Sequence, residues 1–182
     1  MGSSKNYQKE MESVRKDFDF QKFNYGLTFA TTLGDIDLEF YPEVAPNHCI
    51  NMLGLAQLGF YDGIHFHRVV PDFVIQAGCP EGTGTGGPGY TVAAEFNNRA
   101  HEAGIVSMAR TNDPNSAGSQ FFLCLGKVPY LDNKYTVFGK TKDQASLDTV
   151  LKIGGVKTDG GDRPVEAVTI KTAKVTKTPK SL

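Results

Sequence analysis

The hydrophobic pattern changes period along the chain, and each change marks an element. Between residues 5 and 18, Tyr7, Met11, Val14 and Phe18 recur at spacings of four, three and four, with Lys, Glu and Arg between them. That is one apolar face of a helix, packed on the outside of a domain or offered to a partner. An aromatic, polar stretch follows, with Phe20, Phe23 and Tyr25. From Leu27 the period drops to two. Residues 27–33 and 36–40 alternate apolar with polar or small side chains, and Gly34-Asp35 lies between them, which predicts an antiparallel hairpin with one buried face. Pro46 opens a helix at its first turn, Cys49, Leu53, Ala56 and Phe60 form its stripe, and Gly59 stops it.

The stretch from Phe66 to Gly78 reads as two short apolar strands around a Pro71-Asp72 turn. It carries one guanidinium, Arg68, and one carboxamide, Gln76, and a half-buried Arg needs partners or a task. A glycine-rich run, 82–89, comes next. Short strands are predicted at 91–94, 105–109, 121–125 and 136–140. A second helix is predicted over 146–153, with Leu147, Val150 and Leu151 apolar and Gly154-Gly155 as its stop. The last strand is placed at 168–175. About eight short strands and two separated helices favour a closed antiparallel sheet over a parallel α/β fold. The chain divides into an N-terminal extension (1–24), a β-barrel domain (25–176) and a solvated basic tail (177–182) with Lys177 and Lys180.

Composition narrows the function classes. A chain of 182 residues holds one domain with a real core. Its net charge of −1 gives no electrostatic footprint for nucleic acid. No apolar run approaches the ~20 residues of a membrane span. The first residues are polar and charged, unlike a signal peptide. Met1-Gly2 suggests N-myristoylation, but Asn6 stands where that motif requires Ser or Thr. Cys49, Cys79 and Cys124 are scattered and odd in number, which argues against a disulfide framework and for a reducing cytoplasm. Nothing requires more than a monomer.

The familiar reactive constellations are poorly supported. Gly84-Thr85-Gly86-Gly87-Pro88-Gly89 matches G-x-G-x-x-G, yet no helix follows, so a tight surface loop is the better reading. His65 and His67 share a strand face without a third metal ligand, and Cys79, placed in an exposed loop, has no base beside it. What remains is a set of polar side chains without nucleophile, metal or cofactor loop: Arg68, Gln76, Arg110, Thr111 and Gln120. With them stand the apolar residues Phe73, Val74, Phe122 and Leu131. Together they predict a strong donor beside an apolar cavity.

The run Phe66–Gly78 resembles the cyclophilin signature, as do Gly82–Gly87, Ser107–Arg110, Ser116–Phe122, Leu131-Asp132 and Val137–Lys140, in the family's order across roughly 27–175. The resemblance implies an eight-stranded antiparallel barrel capped by two helices, and peptidyl-prolyl cis–trans isomerase activity on Xaa-Pro bonds in folding proteins, without a cofactor. A proline-peptide binding module or chaperone is the alternative. It implies that Arg68 is the catalytic arginine. Phe73, Val74, Phe122 and Leu131 then line the proline pocket, and Gln76 orients the arginine. Ala109, Arg110 and Thr111 hold the peptide, Gln120 lines the groove, and Gly84 sits on the neighbouring loop. Three positions depart from common members: Val74 for Met, Tyr130 for Trp and Tyr135 for His. Tyr130 implies weak cyclosporin binding with catalysis kept, and Tyr135 removes an imidazole from the substrate site.

Overall fold

Residues 5–181 are described by the computed structural model, so the Met1-Gly2 start weighed and rejected as a myristoylation site lies outside the described residues. Eight antiparallel strands form one sheet in the order β3-β4-β6-β5-β7-β2-β1-β8. They are β1 (Phe23–Thr31), β2 (Gly34–Phe40), β3 (Arg68–Val70), β4 (Val74–Ala77), β5 (Ile105–Met108), β6 (Phe121–Cys124), β7 (Val137–Thr141) and β8 (Ile170–Pro179). The sheet is open, a half-barrel and not the closed barrel expected from the strand count. β3 and β8 stand at the two ends of the order and do not pair with each other. The extended segments beside them meet only through a single bridge, His65 to Thr169, and hydrogen bonds such as Phe66 N–H to Val168 O, 2.9 Å. Strand β3 is three residues long, too short to close the ring itself.

The first hairpin follows the alternation. Tyr25, Leu27 and Phe29 of β1 and Ile36 and Leu38 of β2 point into the core. Its turn is Thr32-Leu33 and not Gly34-Asp35, because Thr31 pairs with Gly34 and its hydroxyl donates to the Gly34 carbonyl at 2.6 Å. β8 pairs with β1 along its whole length, from Thr31–Ile170 to Phe23–Pro179. The segment read as a tail therefore enters the sheet, while Lys174, Lys177 and Lys180 remain exposed as expected.

Helix α2 (Pro46–Gln57) is buried almost all round, not on one stripe. The reason is α1 (Gln8–Val14), which covers its outer side. Met11 lies so close on Gly54 that a Cβ there would sit 2.6 Å from its terminal methyl carbon. Tyr7 meets Phe60 edge-on at 5.1 Å. A helix covered on both sides reads as apolar all round. Its N-cap residue, Ala45, offers no side-chain cap. Glu95 substitutes from a distant loop, accepting from His48 N at 2.8 Å, His48 Nδ1 at 2.6 Å and Asn47 N at 3.2 Å. Burial opposes ionisation of Glu95, but these donors outweigh it and hold its pKa below the ordinary carboxylate value.

Helix α3 (Gln144–Gly154) is capped by the Asp143 carboxylate, which accepts from Ser146 N at 2.9 Å. Val150 and Ile153 are its buried apolar side chains, beside buried Ser146 and Gly154, whereas Leu151, expected inside, is exposed. No strand forms at 91–94; Val92 makes one bridge to Ala117. That stretch belongs to an irregular connection between β4 and β5 whose backbone is satisfied by side chains. Asn115 Oδ1 accepts from Ala94 N, Thr136 Oγ1 from Glu95 N and Asp132 Oδ1 from His101 N, at 2.8 to 3.0 Å.

Candidate active site

The site grows from the β3–β4 hairpin. Asp72 turns it with φ of 63°, a left-handed conformation that Asp tolerates better than most residues. The register sets Arg68 directly across from Gln76, so both side chains leave the same face of the sheet. Arg68 Nη1 donates to Gln76 Oε1 at 3.3 Å. Gln76 Nε2 donates to Gln120 Oε1 at 3.1 Å, and Gln120 Nε2 donates to the carbonyls of Gly84 and Gly86, each at 2.9 Å. A line of amides thus runs from the guanidinium to the glycine loop.

Beside Arg68 opens a cavity of about 200 Å³ lined by Arg68, Phe73, Val74, Gln76, Ala109, Arg110, Phe122, Leu131 and Tyr135. A cavity below the ~300 Å³ usual for small-molecule sites suits one side chain. Phe122 forms its floor from β6, where it pairs with Gln76. Tyr135 meets Phe122 edge-on at 5.7 Å. Phe73 lies under the Arg68 guanidinium, 5.8 Å from ring centre to carbon. Tyr130 does not line the cavity; it stacks on the outside of Phe73 at 5.8 Å and is 63% exposed.

The two guanidiniums differ. Arg110 donates to Lys134 O through Nε and Nη2, at 3.0 and 2.6 Å, and to Thr111 O through Nη1 at 2.9 Å. Its plane also lies over Tyr135 at 4.6 Å and Phe96 at 5.8 Å. Arg110 is a wall strut. Arg68, which lines the cavity, has one side-chain hydrogen-bond partner among the described residues, Gln76, and that bond uses only one of its two Nη atoms.

A wider groove of about 720 Å³ adjoins the cavity through Gln76, Ala109 and Arg110. Gly84, Thr111 and Gln120 line it together with Glu81 and residues 85–89 of the glycine loop. Thr111 is fixed by Ser116 Oγ, which accepts its N–H at 2.9 Å. All thirteen residues singled out from the sequence therefore gather at this cavity, its rim or this groove.

The sequence reading missed what stands behind the floor. The ring of His101 stacks on Phe122 at 6.1 Å, with its Nδ1 2.9 Å from Asp132 Oδ1 and its Nε2 2.9 Å from Ser107 Oγ. Burial lowers the His101 pKa, and Asp132 only partly offsets this. Asp132, itself partly exposed, follows Leu131, so this triplet ties the wall residue to the floor. An isolated His thirty-one positions from its carboxylate carries no local signal. Ser107 and His101 are both buried, so the resemblance to a hydrolytic triad gives no accessible nucleophile.

The other sequence readings are corrected. His65 is exposed and bonded to Thr169 Oγ1 at 2.7 Å, whereas His67 is buried. Burial, then Arg163 and Arg68, lower the His67 pKa. Cys79 is buried, not exposed. Burial raises its pKa, but the amides of Gly86 and Gly84, each 3.2 Å from Sγ, together with hydrogen bonds from Thr83, outweigh that and lower it. The glycine loop follows β4 but leads into no helix, the next element being β5; it wraps its amides around that sulfur. Among the described residues no three His, Cys, Asp or Glu side chains gather as a metal site.

The geometry has relatives. A peptidyl-prolyl cis–trans isomerase of Synechococcus elongatus is 51% identical over 120 residues, covering 66% of this chain and 82% of its own. The crystal structure of a cyclophilin-type peptidyl-prolyl cis–trans isomerase of Cryptosporidium parvum superposes with a TM-score of 0.80 at 31% identity, covering 86% of this chain and 99% of that one. The structure of that protein in the presence of the dipeptide Ala-Pro gives 0.77 at 32% identity, covering 83% and 98%. The family model described as cyclophilin type peptidyl-prolyl cis-trans isomerase/CLD matches residues 26–175. The chain belongs to the cyclophilin-type peptidyl-prolyl cis–trans isomerases.

Proposed function

We propose that Arg68 is the catalytic residue of this isomerase and that the 200 Å³ cavity takes the proline ring. An Xaa-Pro bond turns slowly because amide resonance sets a barrier of ~18–20 kcal/mol. At the top of that barrier the C–N bond is twisted and the proline nitrogen carries a localised lone pair. A donor aimed at that nitrogen bonds the twisted state and has little to bind in the planar one, which is the condition for catalysis. The apolar walls Phe73, Val74, Phe122 and Leu131 hold the ring while the acyl side rotates, and they exclude water that would weaken the donor's field. Gln76 keeps the guanidinium in place through its 3.3 Å bond. No covalent bond is made, so no nucleophile is needed.

The observation that carries this reading is the contrast between Arg68, which lines the cavity and bonds one side chain through one Nη atom, and Arg110, whose donors are used by the wall. The Ala-Pro dipeptide used with the Cryptosporidium relative supports a proline-containing peptide as the occupant. The test is the isomerisation rate of an Xaa-Pro peptide with wild type and Arg68→Ala. A large loss of rate is expected, and equal rates would overturn the assignment.

Ligand preference follows from the wall. Tyr130 stands on the outside of Phe73, and its ring offers a face to a large ligand but no indole donor. We therefore expect weak cyclosporin binding, which an inhibition titration reads directly; submicromolar inhibition would contradict it. A monomer in a reducing cytoplasm is the setting we propose, in keeping with three free, buried cysteines.

A further inference from the structure

We infer that the N-terminal segment is a positioning element of the active site: Asn6 and Tyr7 clamp the glycine loop, and the loop holds the amide line that ends at Arg68. The clamp is a direct contact. Tyr7 N–H donates to Pro88 O at 2.8 Å. Gly89 has φ of +92°, and a Cβ built on it would lie 2.8 Å from Asn6 Cα, so the two backbones touch with no room for a side chain. Asn6 is itself fixed by its Oδ1, which accepts from Gln8 N at 2.8 Å. Met11 anchors the whole segment on α2.

The far side of the same loop faces the groove. Gly84 O and Gly86 O receive both hydrogen bonds of Gln120 Nε2, Gln120 Oε1 receives Gln76, and Gln76 Oε1 receives Arg68. The loop has no strand or helix of its own to keep those carbonyls in place. Its own fastenings are the Cys79 sulfur at Gly84 and Gly86, and Arg163, which donates to Gly82 O at 2.5 Å. The clamp at 88–89 fixes its other end. Without it, Gln120 loses a defined pair of acceptors and Gln76 a defined orientation, although no residue near the proline cavity has changed.

The inference rests on the reading of Arg68 as the donor, and the experiment separates the two. The full-length chain is compared with Tyr7→Pro, which deletes the clamp's donor, and with Gly89→Ala, which perturbs the loop side of the contact. kcat and KM on an Xaa-Pro peptide, thermal midpoint and amide hydrogen exchange are measured for each. For a folded Tyr7→Pro chain kcat/KM should fall about 3- to 10-fold, the worth of one hydrogen bond. Exchange should speed up at the Gly84 and Gly86 amides while β6 stays protected, which a uniform loss of stability would not produce. Combined with Gln120→Ala, Tyr7→Pro should add nothing further, because both act through the same link. Gly89→Ala should give the same exchange signature, and it decides the question if Tyr7→Pro does not fold. Wild-type kinetics and exchange in the folded variants, or additive losses in the double variant, would overturn the inference. Should Arg68→Ala keep its rate in the same assay, the reading of the site fails instead.

Discussion

Strands β4 and β6 have two faces built from alternate residues, and the faces do opposite work. Ile75, Ala77, Phe121 and Leu123 point into the main core, where Phe121 stacks on Phe29 at 5.3 Å and meets Tyr61 and Phe66 edge-on. Val74, Gln76 and Phe122 point the other way, into the cavity beside Arg68. The inner face is closed packing with no polar side chain among those four. The outer face spends one position on an amide and leaves a guanidinium opposite it only partly paired. Rigidity is therefore made on one side of the sheet and used on the other, one residue apart. A register slip of one residue would exchange the two faces.

Substitutions on each face should break this symmetry in different currencies. Phe121→Ala is expected to have the largest effect, a loss of about 3–5 kcal/mol of stability in chemical denaturation, since it empties a fully buried aromatic site. The rate per folded molecule should change far less. Arg68→Ala should lower kcat/KM by about 10²–10³, in the range of other deleted transition-state donors, with stability within about 0.5 kcal/mol of wild type. If Arg68→Ala cost stability and kept its rate, the division of labour would be wrong. Gln76→Ala should lower kcat/KM about 3- to 10-fold by freeing the guanidinium, and the loss should vanish in an Arg68→Ala background.

The smallest expected effect comes from pH and separates stability from rate. His67 and His101 are buried with pKa values below the ordinary 6.5, so the unfolded chain takes up protons first. Their contribution is intact above 6.5 and is lost as pH falls from there through their folded values. Glu95, also lowered, adds a loss of the same sign further down in the acid range, below 4.5. Denaturation midpoints should therefore hold at neutral pH and decline on acidification. The rate of folded enzyme should stay nearly flat between about pH 6 and 8, because arginine does not titrate there and Tyr135 stands in place of an imidazole. A bell-shaped rate profile in that window would assign catalysis to a histidine.

Much of this site was legible in the sequence because the hairpin is local. Arg68 and Gln76 lie eight residues apart around a Pro-Asp turn, and short-range pairing alone brings them together. The family resemblance placed Phe122, Leu131 and Gln120, which periodicity would have left in a generic core. What stayed hidden depends on distant partners. The 91–94 segment has strand-like residues, but Ala94 N is taken by the Asn115 side chain and Val92 makes only a single bridge to Ala117, so it forms no ladder. The stripe of α2 was underestimated because α1 covers the side that would otherwise face water. His101 became visible as a support of the floor only when Asp132 and Ser107 closed on it. The open sheet was missed for a related reason: strand count suggests closure, and only the length of β3 decides it.

The pairing of β1 with β8 has a consequence for how the molecule is made. β2 is translated directly after β1 and can cover one of its edges at once. The other edge waits for β8, the last strand in chain order. Until then Leu27 and Phe29 sit on a strand with a row of unpaired amides, the kind of edge that recruits other chains. A ribosome-bound isomerase domain of this design is thus itself an aggregation hazard, relieved in one step when its final ten-residue strand arrives.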